Sequence, residues 1–137
     1  MRMIKAIDVH VHPGTKEDIV DGGGKYLEAA LNYFGKGVKT ITEEELAEKY
    51  RSLNIMGVLV AWDAETNTGL PPLSNDYVAG IVGKYPDTFI GFASVDPWKG
   101  KAAIRELERA VRELGLRGAK FQQAALAFYP NDRRFYP

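Results

Sequence analysis

His10 and His12 are the two histidines of this 137-residue chain, and they stand two positions apart at the end of an apolar run, Ile4-Lys5-Ala6-Ile7-Asp8-Val9. That run reads as a β-strand. Side chains two apart on a strand leave the same face, so both imidazoles would reach one metal ion. Pro13-Gly14 then ends the strand and opens a loop. A strand tip that opens into a loop is where parallel α/β proteins keep their sites. The plain alternative is a pair of ordinary surface or core histidines.

Other residues could join such a site. Asp8 precedes His10 by two positions, and simple alternation puts it on the histidines' face, as their partner or as a buried carboxylate. Trp62-Asp63 closes a second apolar run, Asp96-Pro97-Trp98 closes a third, and Lys120 and Gln122 lie on a fourth. In a barrel, strand-end residues such as Trp62, Asp96, Lys120 and Gln122 surround the substrate. The plain reading makes the tryptophan and aspartate positions loop caps and rim packing. Tyr33, Phe34, Phe128, Tyr129, Phe135 and Tyr136 either wall an aromatic substrate or pack on neighbouring loops or a second subunit.

The elements that must position these groups alternate along the chain. The first strand covers about residues 5–12. A connection with Gly22-Gly23-Gly24, Gly35 and Gly37 follows, with a short amphipathic helix between the glycines at 26–34. This 21–40 insertion reads as a glycine-hinged lid or as a plain surface excursion. Thr42-Glu43-Glu44-Glu45 has the form of a capping box, and Leu46, Ala47, Tyr50 and Leu53 recur at helical spacing. Residues 55–62 form an apolar run suited to a strand buried on both faces. Ser74 caps a helix that Pro86 stops. A third strand spans 88–95, an amphipathic helix 101–114, and a fourth strand 117–122. The tail from Ala127 reads as a loop.

Four strands with helical connections predict βαβ units and a parallel sheet in one α/β domain over residues 1–137. The closed solutions are an open doubly wound sheet or the N-terminal half of a (β/α)8 TIM barrel, since a complete barrel needs about 250 residues. The turn His12-Pro13-Gly14-Thr15 is not the glycine-rich phosphate loop of a dinucleotide fold, and no P-loop lysine motif is present.

Composition sets further bounds. Eighteen basic and eighteen acidic residues balance, so charge argues for neither nucleic acid nor an anionic membrane as a partner. The absence of cysteine excludes disulfides and thiolate ligands and fits a cytoplasmic protein. No apolar run approaches the roughly 20 residues of a membrane span, and the first residues lack a secretory signal's apolar stretch.

Asp8-Val9-His10-Val11-His12-Pro13 resembles the amidohydrolase superfamily. Gly91-Phe92-Ala93-Ser94-Val95-Asp96-Pro97, Leu116-Arg117-Gly118-Ala119-Lys120-Phe121 and the tail Pro130-Asn131-Asp132-Arg133-Arg134-Phe135-Tyr136-Pro137 resemble its decarboxylase-like branch. That branch includes the aminocarboxymuconate-semialdehyde and resorcylate decarboxylases. The resemblance covers the first half of the family's barrel. It implies one divalent metal, usually zinc, held by the first-strand pair, which His10 and His12 match. It also implies a histidine after the fifth strand and an aspartate after the eighth, which this chain does not supply. Many relatives carry a histidine just after the fourth-strand Lys-Phe or Lys-Leu pair, where this chain has Gln122 and Gln123. Lys120 is then a lysine lining the site's mouth, or a carboxylated bridge of the kind binuclear branches use.

The resemblance thus implies a metal-dependent hydrolase or decarboxylase acting on a small carboxylated or aromatic molecule, with the general base outside this chain. A barrel phosphoesterase or deoxyribonuclease is the competing enzyme class. A binding or assembly module with a vestigial histidine pair is the non-enzymatic one. A half-barrel has cut strand edges and an open inner face. Two ligands also hold zinc weakly. The chain alone is therefore expected to be catalytically incomplete, to bind zinc at low occupancy and to form a homo-oligomer.

Overall fold

The computed structural model describes residues 3–35, 37 and 39–135. Four strands form one sheet: β1 (Ala6–Val11), β2 (Ile55–Val60), β3 (Phe89–Ala93) and β4 (Gly118–Ala119). Their spatial order is β1-β2-β3-β4 and each neighbouring pair is parallel. Between β1 and β2 lie a π-helical turn (Glu17–Asp21), α1 (Gly24–Phe34) and α2 (Glu43–Leu53). Between β2 and β3 lie α3 (Glu65–Thr68) and α4 (Asn75–Lys84). A 3₁₀ turn (Pro97–Lys99) and α5 (Lys101–Arg112) lead to β4, and α6 (Gln123–Leu126) and a 3₁₀ turn (Arg133–Phe135) follow it.

Local chemistry explains the helix ends. Thr42 Oγ1 accepts from the Glu45 amide at 3.1 Å, while Glu45 Oε2 accepts from the Thr42 amide at 2.7 Å. The capping box read in the sequence therefore forms. At the other end Asn54 takes φ 55° and closes α2 in the left-handed region. Ser74 caps α4 by accepting from the Tyr77 amide at 3.1 Å.

The core lies on one face of the sheet. Val11, Leu59, Phe89 and Ala93 meet Leu46, Ala47 and Tyr50 of α2, Val78 and Ile81 of α4, and Ala110 of α5 in one buried cluster. Alternation turns Val58, Val60, Ile90 and Phe92 to the opposite face. Gly118 faces that way too, since a Cβ there would meet the Phe92 ring. A doubly wound sheet reverses its strand order and carries helices on both faces. Sequential parallel strands with helices on one face are instead the arc of a barrel. The chain has the fold of the N-terminal half of a (β/α)8 barrel.

The two edges of this arc are unequal to its middle. Ile7 and Val9 of β1 are 52% and 70% exposed. The fourth strand is shorter than the 117–122 expected: its ladder is Gly118–Ala119, flanked by Arg117 N donating to Gly91 O at 2.8 Å and Lys120 N to Ala93 O at 2.7 Å. The 21–40 insertion carries α1, which Gly35 ends with φ 63°; residues 36 and 38 lie outside the described residues. Among the described residues no helix is long and apolar enough to cross a membrane.

Candidate functional site

β1 ends with both imidazoles converging. His10 Nε2 and His12 Nε2 lie 3.2 Å apart, with ring centroids 5.2 Å apart. Two nitrogens each about 2.0–2.1 Å from one tetrahedral zinc are separated by about 3.3–3.4 Å, so the pair has the spacing of two ligands on one ion. Neutral imidazole is also a fitting donor for zinc. Among the described residues no group of three or more His, Asp or Glu side chains gathers around one point. The chain thus offers two converging nitrogens, short of the three protein ligands usual at a catalytic zinc.

Lys120 comes to the same place from the far edge of the sheet. Its Nζ is 3.3 Å from His10 Nε2 and 3.4 Å from Gln122 Oε1, which accepts from it. Partial burial lowers the lysine's pKa. Desolvation first, and then the charges of Lys120 and His12, lower that of His10. The lowered His10 value favours the neutral imidazole that a metal needs. Trp62 meets the His12 ring edge-on at a centroid distance of 6.5 Å, held by its backbone bridge to Leu73. The structure therefore brings together His10, His12, Trp62, Lys120 and Gln122, which are 110 residues apart at the most distant hydrogen-bonded pair.

Asp96 is held between the backbones of two loops. It is fully buried. Its Oδ2 accepts from the Thr66 amide at 2.9 Å and its Oδ1 from the Trp98 amide at 3.0 Å. Both oxygens are engaged in holding the loops after β2 and β3, as a structural cap does.

Asp8 departs from the simple alternation as well. The β1–β2 register runs Asp8↔Gly57 and then Val11↔Leu59, with an irregularity between. Three residues on β1 thus span two on β2, as at a bulge, and the parity flips. Asp8 consequently shares the helix-covered side with Val11, where its Oδ2 accepts from the Tyr50 hydroxyl at 2.9 Å. Burial and this carboxylate push the Tyr50 hydroxyl up to about 12.

The candidate aromatic wall divides. Tyr33 and Phe34 stack edge-on against each other and are exposed. Phe128 and Phe135 line a cleft of about 770 Å³ with Trp98, Ile104, Leu107 and Phe121, beside α5. Tyr136 lies outside the described residues.

Sequence reasoning missed Asp18. It sits on the π-helical turn with Oδ1 3.7 Å from His12 Nδ1, and its Oδ2 accepts from the Gly14 amide at 2.8 Å. No periodicity signals a π-turn; the available signal was an acid within a few residues of a histidine pair.

The chain is similar to proteins of known family. The model of the amidohydrolase family matches residues 7–137. A gamma-resorcylate decarboxylase of Polaromonas sp. (strain JS666 / ATCC BAA-500) is 27% identical over 145 aligned positions, covering 96% of this chain and 44% of the relative. One of Rhodococcus jostii (strain RHA1) is 34% identical over 82 positions, covering 60% of this chain and 25% of the relative. The chain thus spans less than half the length of these curated relatives. Among solved structures, a 2,6-dihydroxybenzoate decarboxylase complexed with 2,6-dihydroxybenzoate aligns at TM-score 0.49 and 22% identity, over 87% of this chain and 39% of that one. The 4-oxalomesaconate hydratase of Rhodopseudomonas palustris aligns at TM-score 0.49 and 22% identity, over 82% and 40%. With its family model matched from the first strand to the last residue, and the paired histidines at the end of that strand, the chain belongs to the amidohydrolase family.

Proposed function

We propose that this protein contributes the first-strand half of a divalent-metal site, with zinc the preferred ion, in an enzyme that decarboxylates or hydrolyses a small carboxylated aromatic molecule. The observation that carries the reading is the 3.2 Å convergence of His10 Nε2 and His12 Nε2 at the strand tip. The family and the gamma-resorcylate decarboxylases among its relatives support the choice of substrate class.

Each residue then has a role set by its chemistry. His10 and His12 would hold the ion. A divalent ion at this point supplies Lewis-acid polarisation of an oxygen on substrate or water. Lys120, a cation 3.3 Å from His10 Nε2, would bind a substrate carboxylate, and the exposed Gln122 amide would donate to a second oxygen. Trp62, packed against His12, would form an apolar wall for an aromatic ring. Carbon–carbon cleavage would release carbon dioxide and leave a proton to be added at the ring carbon. We assign the proton donor for that step, like the remaining ligands, to residues outside this chain. We also propose that the open edge at β1 makes the isolated chain self-associate.

The test is turnover of 2,6-dihydroxybenzoate by the full natural polypeptide loaded with zinc, beside generic phosphodiesters. Carbon dioxide release that falls by orders of magnitude in His12→Ala supports the proposal. Phosphodiester turnover lost in the same variant would overturn it.

A further inference from the structure

The loop after β1 does more than end the strand. Pro13 is buried, Gly14 takes φ 69° and Thr15 is buried, so the chain turns back sharply into the π-helical turn Glu17–Asp21. Three bonds fix this turn. Ile19 N donates to Thr15 O at 2.9 Å. The Thr15 and Tyr77 hydroxyls bond at 2.7 Å and tie it to α4. The Gly14 amide donates to Asp18 Oδ2 at 2.8 Å. The last bond leaves the other carboxylate oxygen aimed at the back of His12: Oδ1 lies 3.7 Å from Nδ1, and the Asp18 side chain is 9% exposed.

We infer that Asp18 is a positioning residue for His12, holding its proton on Nδ1 so that the Nε2 lone pair faces the space shared with His10. The physical reason is direct. With the proton on Nε2, the Nδ1 lone pair would face the oxygen of a largely buried carboxylate 3.7 Å away, and like partial charges repel. With the proton on Nδ1, that contact becomes attractive. At 3.7 Å it acts as a charge–dipole attraction, longer than a hydrogen bond. A second group that fixes tautomer and ring direction raises a histidine's value as a ligand. Among the described residues His10 has no such carboxylate behind its ring; it has Lys120 in front of it. The two histidines are therefore not equivalent, and His12 is the pre-oriented one.

The inference rests on reading the pair as metal ligands, and its test separates the two. The chain has only two histidines, so ¹⁵N correlation spectra of the metal-free protein contain two imidazoles. His10→Gln assigns them. We expect His12 as the Nδ1–H tautomer in the parent and a shift toward Nε2–H in Asp18→Asn. The asparagine carbonyl can still accept from the Gly14 amide, so the turn stays folded while the charge is lost. Asp18→Ala should shift His12 in the same direction, with His10 taking the complementary role across the 3.2 Å Nε2–Nε2 contact. Cobalt titration should show affinity lower by about 10–100-fold in Asp18→Asn, the usual cost of losing an outer-shell partner. An unchanged His12 tautomer in a folded Asp18→Asn protein would overturn the inference. A parent that binds no cobalt but shows the tautomer shift would uphold Asp18's role and overturn the metal reading instead.

Discussion

β1 and β2 are neighbouring strands of equal length and similar apolar content, yet they live in opposite surroundings. On β2, Leu59 and Val60 are essentially inaccessible; on β1, Ile7 and Val9 are more than half exposed. Intrinsic strand preference cannot be the difference, because valine and isoleucine favour both. The difference is coverage. β2 has a strand on each side and α2 and α4 against one face. β1 has one strand neighbour, and α2 reaches it at Val11 and through the Tyr50–Asp8 bond. The histidines sit at that lightly held strand's tip. Local order there comes from the bulge, the Tyr50 hydroxyl and the turn that carries Asp18, rather than from burial.

The largest effect should separate the middle from the edge. Phe89, buried on β3, packs edge-on against both Tyr50 and Tyr85. Phe89→Ala should destabilise by about 3–5 kcal/mol. Val9→Thr should change stability by no more than about 0.5 kcal/mol in dilute monomer. Urea unfolding of the two variants measures both, and a comparable loss in Val9→Thr would show that β1's outer surface is covered. Sedimentation velocity then reports whether a second copy is the cover. Val9→Lys should shift an associated parent toward monomer, since a charge on an edge strand blocks edge pairing.

A smaller effect probes the contact that joins the two strands. A Cβ on Gly57 would lie 2.9 Å from Tyr50 Cε1 and 3.2 Å from both Phe89 and Val11 side chains. Gly57→Ala should cost about 1–3 kcal/mol by overpacking. Because Tyr50 also holds Asp8, the same change should raise amide exchange in β1 more than in β3. Equal changes in both strands would mean that β1 is not the more weakly held.

These contrasts mark what the sequence made legible. Strand and helix identities follow from local pattern: the apolar run at 55–62, the Thr42 box and the Ser74 cap all form where the residue types require them. The convergence of His10 with His12 was likewise legible, because both flank Val11 and leave the strand on the side opposite to it. Asp8 was not, since a bulge is a property of the pairing with β2 and leaves no mark in β1's own alternation. The two backbone amides on the Asp96 oxygens were not legible either, since residue type and position say nothing of them. The fourth strand was overestimated because β4 has no partner on its far side to extend the ladder.

The helix that shields β1's end can be loosened without touching the core. Thr42→Ala removes the hydroxyl that accepts from the Glu45 amide and should cost about 1 kcal/mol. Thermal unfolding checks the size. Exchange of the α2 amides, read beside those of α4, checks the place.

The smallest effect lies at the other end of α2, and it depends on pH. Arg51 Nε and Nη2 donate to the two Asp87 oxygens at 3.0 and 2.6 Å, tying the helix to the turn before β3. This pairing lowers the Asp87 carboxyl from 3.8 to about 2. A carboxyl depressed in the folded state binds its proton more readily when unfolded, so the unfolded chain gains on acidification. The stabilisation is therefore complete above the ordinary value of 3.8 and is lost as the pH falls through about 2. Other acids contribute in the same direction, since Arg109 lowers Asp76 and Glu106 as well. The informative quantity is thus the difference between the parent and Asp87→Asn, measured as unfolding midpoints from about pH 5 down to about pH 2. That difference should be present at the upper end and vanish at the lower. Both partners are substantially exposed, so added salt should shrink it at every pH. A difference that grows on acidification would mean that Asp87 is stabilised in its protonated form, and the bidentate pair would not be what holds α2 against β3's entry.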